Sequence, residues 1–178
     1  MKTTTTKTLA LCAVFAALMA MCSQIQIPLG MIPINLGLFA VHLCAALMKK
    51  QYAALSMAVF LLMGLVGLPV FAGFQGGAGV LFGRTGGYII GYVASAFLTS
   101  LLLEKWGRAW WKEALSMAAG VAACYLFGTA WYMALTHTPL WLSLTYCVFP
   151  FLPGDAVKIA LAVALSARLE KPLRRVMA

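Results

Sequence analysis

Six mostly apolar stretches, at about 8–27, 32–48, 52–68, 85–103, 113–135 and 154–169, alternate with short connections that gather most of the charge. A helix that crosses a bilayer needs about 20 mostly apolar residues at about 1.5 Å rise each. The pattern predicts an all-α integral membrane protein with six transmembrane helices, forming a single domain over 1–178. The second and third stretches are short.

Two connections are unusual. Residues 67–87 hold eight of the sixteen glycines, which permit tight turns and close approach of backbone to a ligand. Residues 136–153 carry Pro139, Trp141, Tyr146, Phe149, Pro150, Phe151 and Pro153. That segment is too apolar for a solvated loop and too interrupted for a span, and it reads as a lid or an interfacial segment. Two ladders of small residues also stand out: Ala10, Ala13, Ala17 and Ala20 in the first stretch, and Gly83, Gly87, Gly91 and Ser95 in the fourth. Packing drives helix association in lipid, so such ladders mark faces that another helix approaches. Both suit internal packing; the first also suits docking of a separate membrane partner.

Composition places the chain in a membrane, with 63% apolar and 10% charged residues and a mean hydropathy of +0.95, beyond what a soluble core carries. The net charge of +9 does not point to nucleic acid, because the basic residues are spread among connections rather than gathered on one face. Their placement reports orientation. With the N-terminus in the cytoplasm, eleven of the thirteen Lys and Arg fall inside: Lys2, Lys7, Lys49, Lys50, Lys105, Arg108, Lys112, Arg168, Lys171, Arg174 and Arg175. Arg84 and Lys158 are left toward the outside. A re-entrant hairpin of the second and third helices would hold Lys49 and Lys50 in lipid, so true crossings and two cytoplasmic termini are expected. The apolar run after Lys7 continues to about Ile27 without a small-x-small exit, which favours a retained first helix over a signal peptide.

Enzymatic chemistry finds little to work with. Asp155 is the single aspartate, and Glu104, Glu113 and Glu170 lie at the predicted cytoplasmic boundary, so no carboxylate pair is placed to share a proton. Neither His42 nor His137 lies near an obvious nucleophile, and the five cysteines form no CxxC pair, so no catalytic residue, metal site or cofactor is expected. Gly79-Val-Leu-Phe-Gly-Arg-Thr85 is one residue too short for a phosphate loop and has Arg84 where Lys is required. ATP hydrolysis is expected on other subunits.

A binding site at the outer mouth remains. Asp155 and Lys158 stand three residues apart at the head of the last apolar stretch, and a charge at mid-bilayer costs about 2.5–3.5 kcal/mol on insertion scales. Asp155 follows Pro153 and Gly154 and can be a helix N-cap; Lys158 can snorkel outward. Together with a helix N-terminus they also make an anion receptor. Arg84 can hold a carboxylate or a lipid phosphate.

Three motifs in order, Gly67-Leu-Pro-Val-Phe-Ala72, Gly83-Arg-Thr-Gly-Gly-Tyr-Ile-Ile-Gly-Tyr92 and Pro153-Gly-Asp-Ala-Val-Lys158, resemble the BioY family of biotin-binding S components of energy-coupling-factor transporters. The resemblance covers essentially the whole chain. It implies a six-helix subunit of a prokaryotic plasma membrane, with a ligand pocket near the outer face, working with a transmembrane coupling subunit and two ATPase subunits. It implies biotin as ligand. Tyr88, Asp155 and Lys158 match the family pattern, whereas Arg84 stands where the family often has proline. On this reading Asp155 with Asn35 or Gln75 meets the ureido ring, Phe74 the thiophane, and Lys158 or Arg84 the carboxylate. Ala13 and Ala17 match the small-residue motif for coupling-subunit contact. An S component for another vitamin and a membrane scaffold protein are the alternatives.

Overall fold

The computed structural model describes residues 2–27 and 34–177, with side chains for 6–26 and 35–173. The start of the second predicted span, residues 32 and 33, and the side chains of Lys2, Arg174 and Arg175 lie outside the described residues. The order is α1 (Lys2–Gln24), β1 (Gln26–Ile27), β2 (Ile34–Asn35), α2 (Gly37–Leu47), α3 (Lys50–Leu65), α4 (Ala78–Leu81), α5 (Gly86–Trp106), α6 (Trp110–Thr136), α7 (Leu140–Cys147) and α8 (Leu152–Met177). The strands are a two-residue antiparallel pair in which Gln26 faces Asn35.

The helix α2 is the axis of the bundle. Its sequence, Gly-Leu-Phe-Ala-Val-His-Leu-Cys-Ala-Ala-Leu, has no lipid-facing or solvated side, and every residue except Phe39 is buried. A helix that is apolar all round belongs in the interior. It packs against α1, α3, α5 and α8. Its 11 residues rise only about 16 Å, half the hydrocarbon thickness.

Among the described residues three helices are long and apolar enough to cross a membrane: Thr6–Gln24 within α1, α5 and α6. The pair α7 and α8, bent by 50°, makes a fourth candidate. The expected second and third spans are helical for 11 and 16 residues, because Leu36 and the β pair occupy the start of one and Val66 ends the other. The expected last span, 154–169, begins earlier, at Leu152, and continues to Met177. The Pro-rich stretch 136–153, read as a lid or interfacial segment, contains a two-turn helix: Pro139 precedes α7 with φ −63° and ψ 151°, as proline does ahead of a helix start.

The tightest contact is α5 against α6, and glycine makes it possible. A Cβ on Gly91 would lie 3.1 Å from the Cys124 carbonyl, one on Gly87 would strike Trp131, and one on Gly128 would strike the Tyr88 ring. Ser95 continues the α5 ladder against Gly120. The ladder of the fourth predicted span thus serves internal packing. Ala13 and Ala17 on α1 lie on its exposed side, beside Val14.

The two ends of the bundle differ chemically. At one end Lys50 pairs with Glu104 at 3.1 Å, Arg108 with Glu170 at 3.1 Å, and Ser166 donates to the buried Glu113 at 2.6 Å. These contacts join the starts of α3 and α6 to the ends of α5 and α8. The opposite end collects the glycine-rich connection, the start of α5 and the start of α8.

Candidate functional site

A cavity of about 420 Å³ opens at that second end, within the range of small-molecule sites. The end of α1, the start of α2, α5, α6 and the head of α8 wall it, with the connection after α3 as a further side. Apolar surface comes from Leu38, Phe60, Phe71, Ile89 and Phe151, and polar groups from Gln26, Asn35, Gln75, Tyr88, Tyr92 and Tyr125.

The ionic centre lies on α8. Asp155 is inside the first turn rather than at the N-cap that its Pro-Gly neighbours allow, because the helix begins at Leu152 and the Asp155 N–H donates to the Phe151 carbonyl at 2.8 Å. Pro153 is tolerated so near the start, where its missing N–H is not needed. The carboxylate faces inward. Lys158, one turn on, donates to Asp155 Oδ1 at 2.7 Å, and the pair is buried, with side chains 7% and 3% exposed. The Tyr125 hydroxyl donates to Oδ2. Both oxygens are thereby held, yet a carboxylate accepts at about four lone-pair sites, and the ammonium has two donors beyond the one used. A buried pair of this kind is costly unless further hydrogen bonds complete it. Tyr125 supplies one, and a ligand can supply the rest.

The phenols frame this centre. The Tyr88 hydroxyl donates to the Cys147 carbonyl at 3.3 Å and lies 3.3 Å from Thr129 Oγ1, which fixes its ring against Gly128. Asn35 Oδ1 accepts from the Gly37 N–H at 2.9 Å, so the amide is tied to the first turn of α2. A side chain at Gly37 would press on this site, since a Cβ would come 2.9 Å from Asn35 Oδ1 and from Met19 Cε and 3.3 Å from the Tyr92 hydroxyl.

Of the residues named from sequence, Asp155, Lys158, Tyr88, Gln75 and Asn35 line one cavity. Phe74 and Arg84 do not. Phe74 is 74% exposed at the tip of its turn, and Arg84 is exposed between α4 and α5. Sequence reading missed Tyr92, Tyr125, Gln26 and Ser23, which line the same cavity. A phenol in an apolar span is a signal that was available, since its hydroxyl needs a partner when buried. Among the described residues no group of three or more His, Cys, Asp or Glu could hold a metal ion. The chemistry on offer is recognition: an ion pair and amides for polar ends, aromatic walls for an apolar middle.

Known proteins resemble this chain throughout. The BioY family model matches residues 1–175. The biotin transporter BioY of Thermotoga maritima is 38% identical over 158 residues, covering 89% of this chain and 92% of its own. The biotin transporter BioY2 of Lactococcus lactis subsp. cremoris is 32% identical, covering 97% and 95%. A crystal structure of the S-component for biotin from an ECF-type ABC transporter superposes with a TM-score of 0.89 at 30% identity, over 96% of this chain and 94% of that one. The names of these relatives describe transport and no enzymatic activity.

Proposed function

The chain belongs to the BioY family, and on that premise we propose that it is the biotin-binding S component of an ECF-type importer. It captures biotin at the outer face and delivers it inward when a transmembrane coupling subunit and two ATPase subunits reorient it. The observation that carries this reading is the buried Asp155–Lys158 pair opening on an aromatic-walled cavity of about 420 Å³. Biotin has the matching parts: a ureido ring of donors and acceptors, an apolar thiophane, and a carboxylate on a flexible chain.

In this reading Asp155, Asn35 and Gln75 serve the ureido end, Tyr88 closes the site, and Lys158 faces the carboxylate. Phe74 and Arg84 stand outside the cavity lining and join the ligand only through movement of their connections. Ala13 and Ala17, exposed on α1, offer the coupling subunit a close approach. The chain crosses the plasma membrane six times, with α2 and α3 as the shortest crossings and both termini in the cytoplasm. The basic end of the bundle then faces inward.

Isothermal titration of the purified protein decides the substrate. Biotin should bind without ATP or partner subunits, and other vitamins should give no heat. Absence of biotin binding, or preference for a different vitamin, overturns the assignment.

A further inference from the structure

One side of the cavity is not a helix. Phe71, Ala72, Gly73 and Gln75, in the connection between α3 and α4, line it, and the turn they form is closed by a short bridge: Phe71 N–H to the Gln75 carbonyl at 2.9 Å and the reverse at 3.3 Å. Phe71 anchors one foot, its ring seated in the notch left by Gly64 and edge-on to Phe60 at 5.6 Å. The tip is less settled. Phe74 is exposed and has a φ of 57°, a backbone conformation that bulky side chains avoid.

The end of α1 holds this turn from outside the segment. Gln24 Nε2 donates to the carbonyls of Val70 and Phe71, both at 3.1 Å, and Gln24 Oε1 accepts the Phe74 N–H at 2.8 Å. The Ser23 hydroxyl lies 2.5 Å from the Val70 carbonyl as well. One carboxamide thus spans both limbs of the turn, and its acceptor meets the N–H of the strained residue. Polar groups at the end of a span ordinarily face water; these are turned onto backbone.

We infer that Gln24 is a positioning residue for ligand retention: it latches residues 70–74 to the end of α1, and loss of that latch opens the loop side of the cavity. The inference rests on the proposal that the cavity takes biotin. Release of cargo is then governed from α1, the helix whose exposed side carries Ala13 and Ala17.

The full chain in lipid nanodiscs, as wild type, Gln24→Ala and Gln24→Glu, permits two independent readouts. In ligand-free protein, hydrogen exchange over residues 68–77 should speed up by about tenfold or more in Gln24→Ala while α5 and α6 are unchanged, since local opening is controlled by the hydrogen bonds that hold it. Biotin dissociation should accelerate by a similar factor, with association altered by less than about threefold, because related complexes differ mostly in their off-rates. Gln24→Glu, which keeps the acceptor for Phe74 and loses both donors, should fall between. Unchanged exchange over 68–77, or uniform loosening of the whole bundle, overturns the latch. Faster exchange with unaltered dissociation overturns its role in retention. Wild-type protein that binds no biotin defeats the functional reading, and the exchange measurement then decides the latch alone.

Discussion

Removing either member of the Asp155–Lys158 pair leaves a buried charge without its counter-ion, whereas removing both leaves only a polar gap. Breaking such a pair costs about 3–5 kcal/mol, and replacing both partners is far milder. Lys158→Met should therefore destabilise the ligand-free protein more than the double variant Asp155→Asn with Lys158→Met, as read by thermal unfolding in detergent. Equal losses would mean that the pair is solvated. The Tyr125 hydroxyl orients Asp155, and hydrogen bonds to charged groups contribute about 1.5–3 kcal/mol. Tyr125→Phe should weaken biotin binding by about tenfold or more, about 1.4 kcal/mol, with the fold intact; unchanged affinity would remove Tyr125 from the site. At this scale the sequence was legible wherever polarity was out of place. Asp155 and Lys158 stand out in an apolar stretch. Tyr92 and Tyr125 are less conspicuous, because a phenol is common in such a helix and only the hydroxyl, which needs a partner when buried, marks it. Ser23 and Gln24 were hidden because helix ends ordinarily carry polar residues, and only the fold brings residue 70 beside them. Phe74 and Arg84 have suitable side chains, but sequence does not encode which way a glycine-rich turn points them.

Helix boundaries and contacts explain why the elements were partly legible. Hydropathy located the α1, α5 and α6 spans well, since lipid-length helices must be apolar from end to end. It began the second span ahead of Gly37 and ran the third past Leu65, because apolar residues continue into the segments beside both helices. The small-residue ladder of α5 carried more information, and it makes a sharp demand on α6. At Gly128 a methyl group would strike the Tyr88 ring, and overpacking costs about 1–3 kcal/mol. Gly128→Ala should lower the unfolding temperature and weaken biotin binding together, by pushing Tyr88 from its contact with the Cys147 carbonyl. Gly79 has open space around its Cβ position, so Gly79→Ala is the control expected to change neither. A Gly128→Ala variant indistinguishable from that control would contradict the packing.

For the whole molecule, the sorting of charge to one end and cavity to the other is what makes a directional capture protein conceivable. The order of the connections carried this in the sequence: the basic connections 49–50 and 105–112 come together at one end, and the glycine-rich and proline-rich ones at the other. In intact cells, with the native cysteines replaced, a cysteine in place of the exposed Leu68 should react with a membrane-impermeant thiol reagent. One in place of Lys105 should react only after permeabilisation. The reverse pattern would invert the protein in the membrane. Sequence could not reveal the enclosed volume itself, which depends on how helices far apart in the chain and one turn close around it.

A structure of the purified protein with added biotin tests the central claim most directly. The account predicts ligand density inside the cavity between α1, α5, α6 and α8, with polar contacts to the Asp155–Lys158 pair and the ring system against Phe71, Tyr88 or Tyr125. Biotin bound elsewhere, or a cavity left unfilled at saturating biotin, would contradict it.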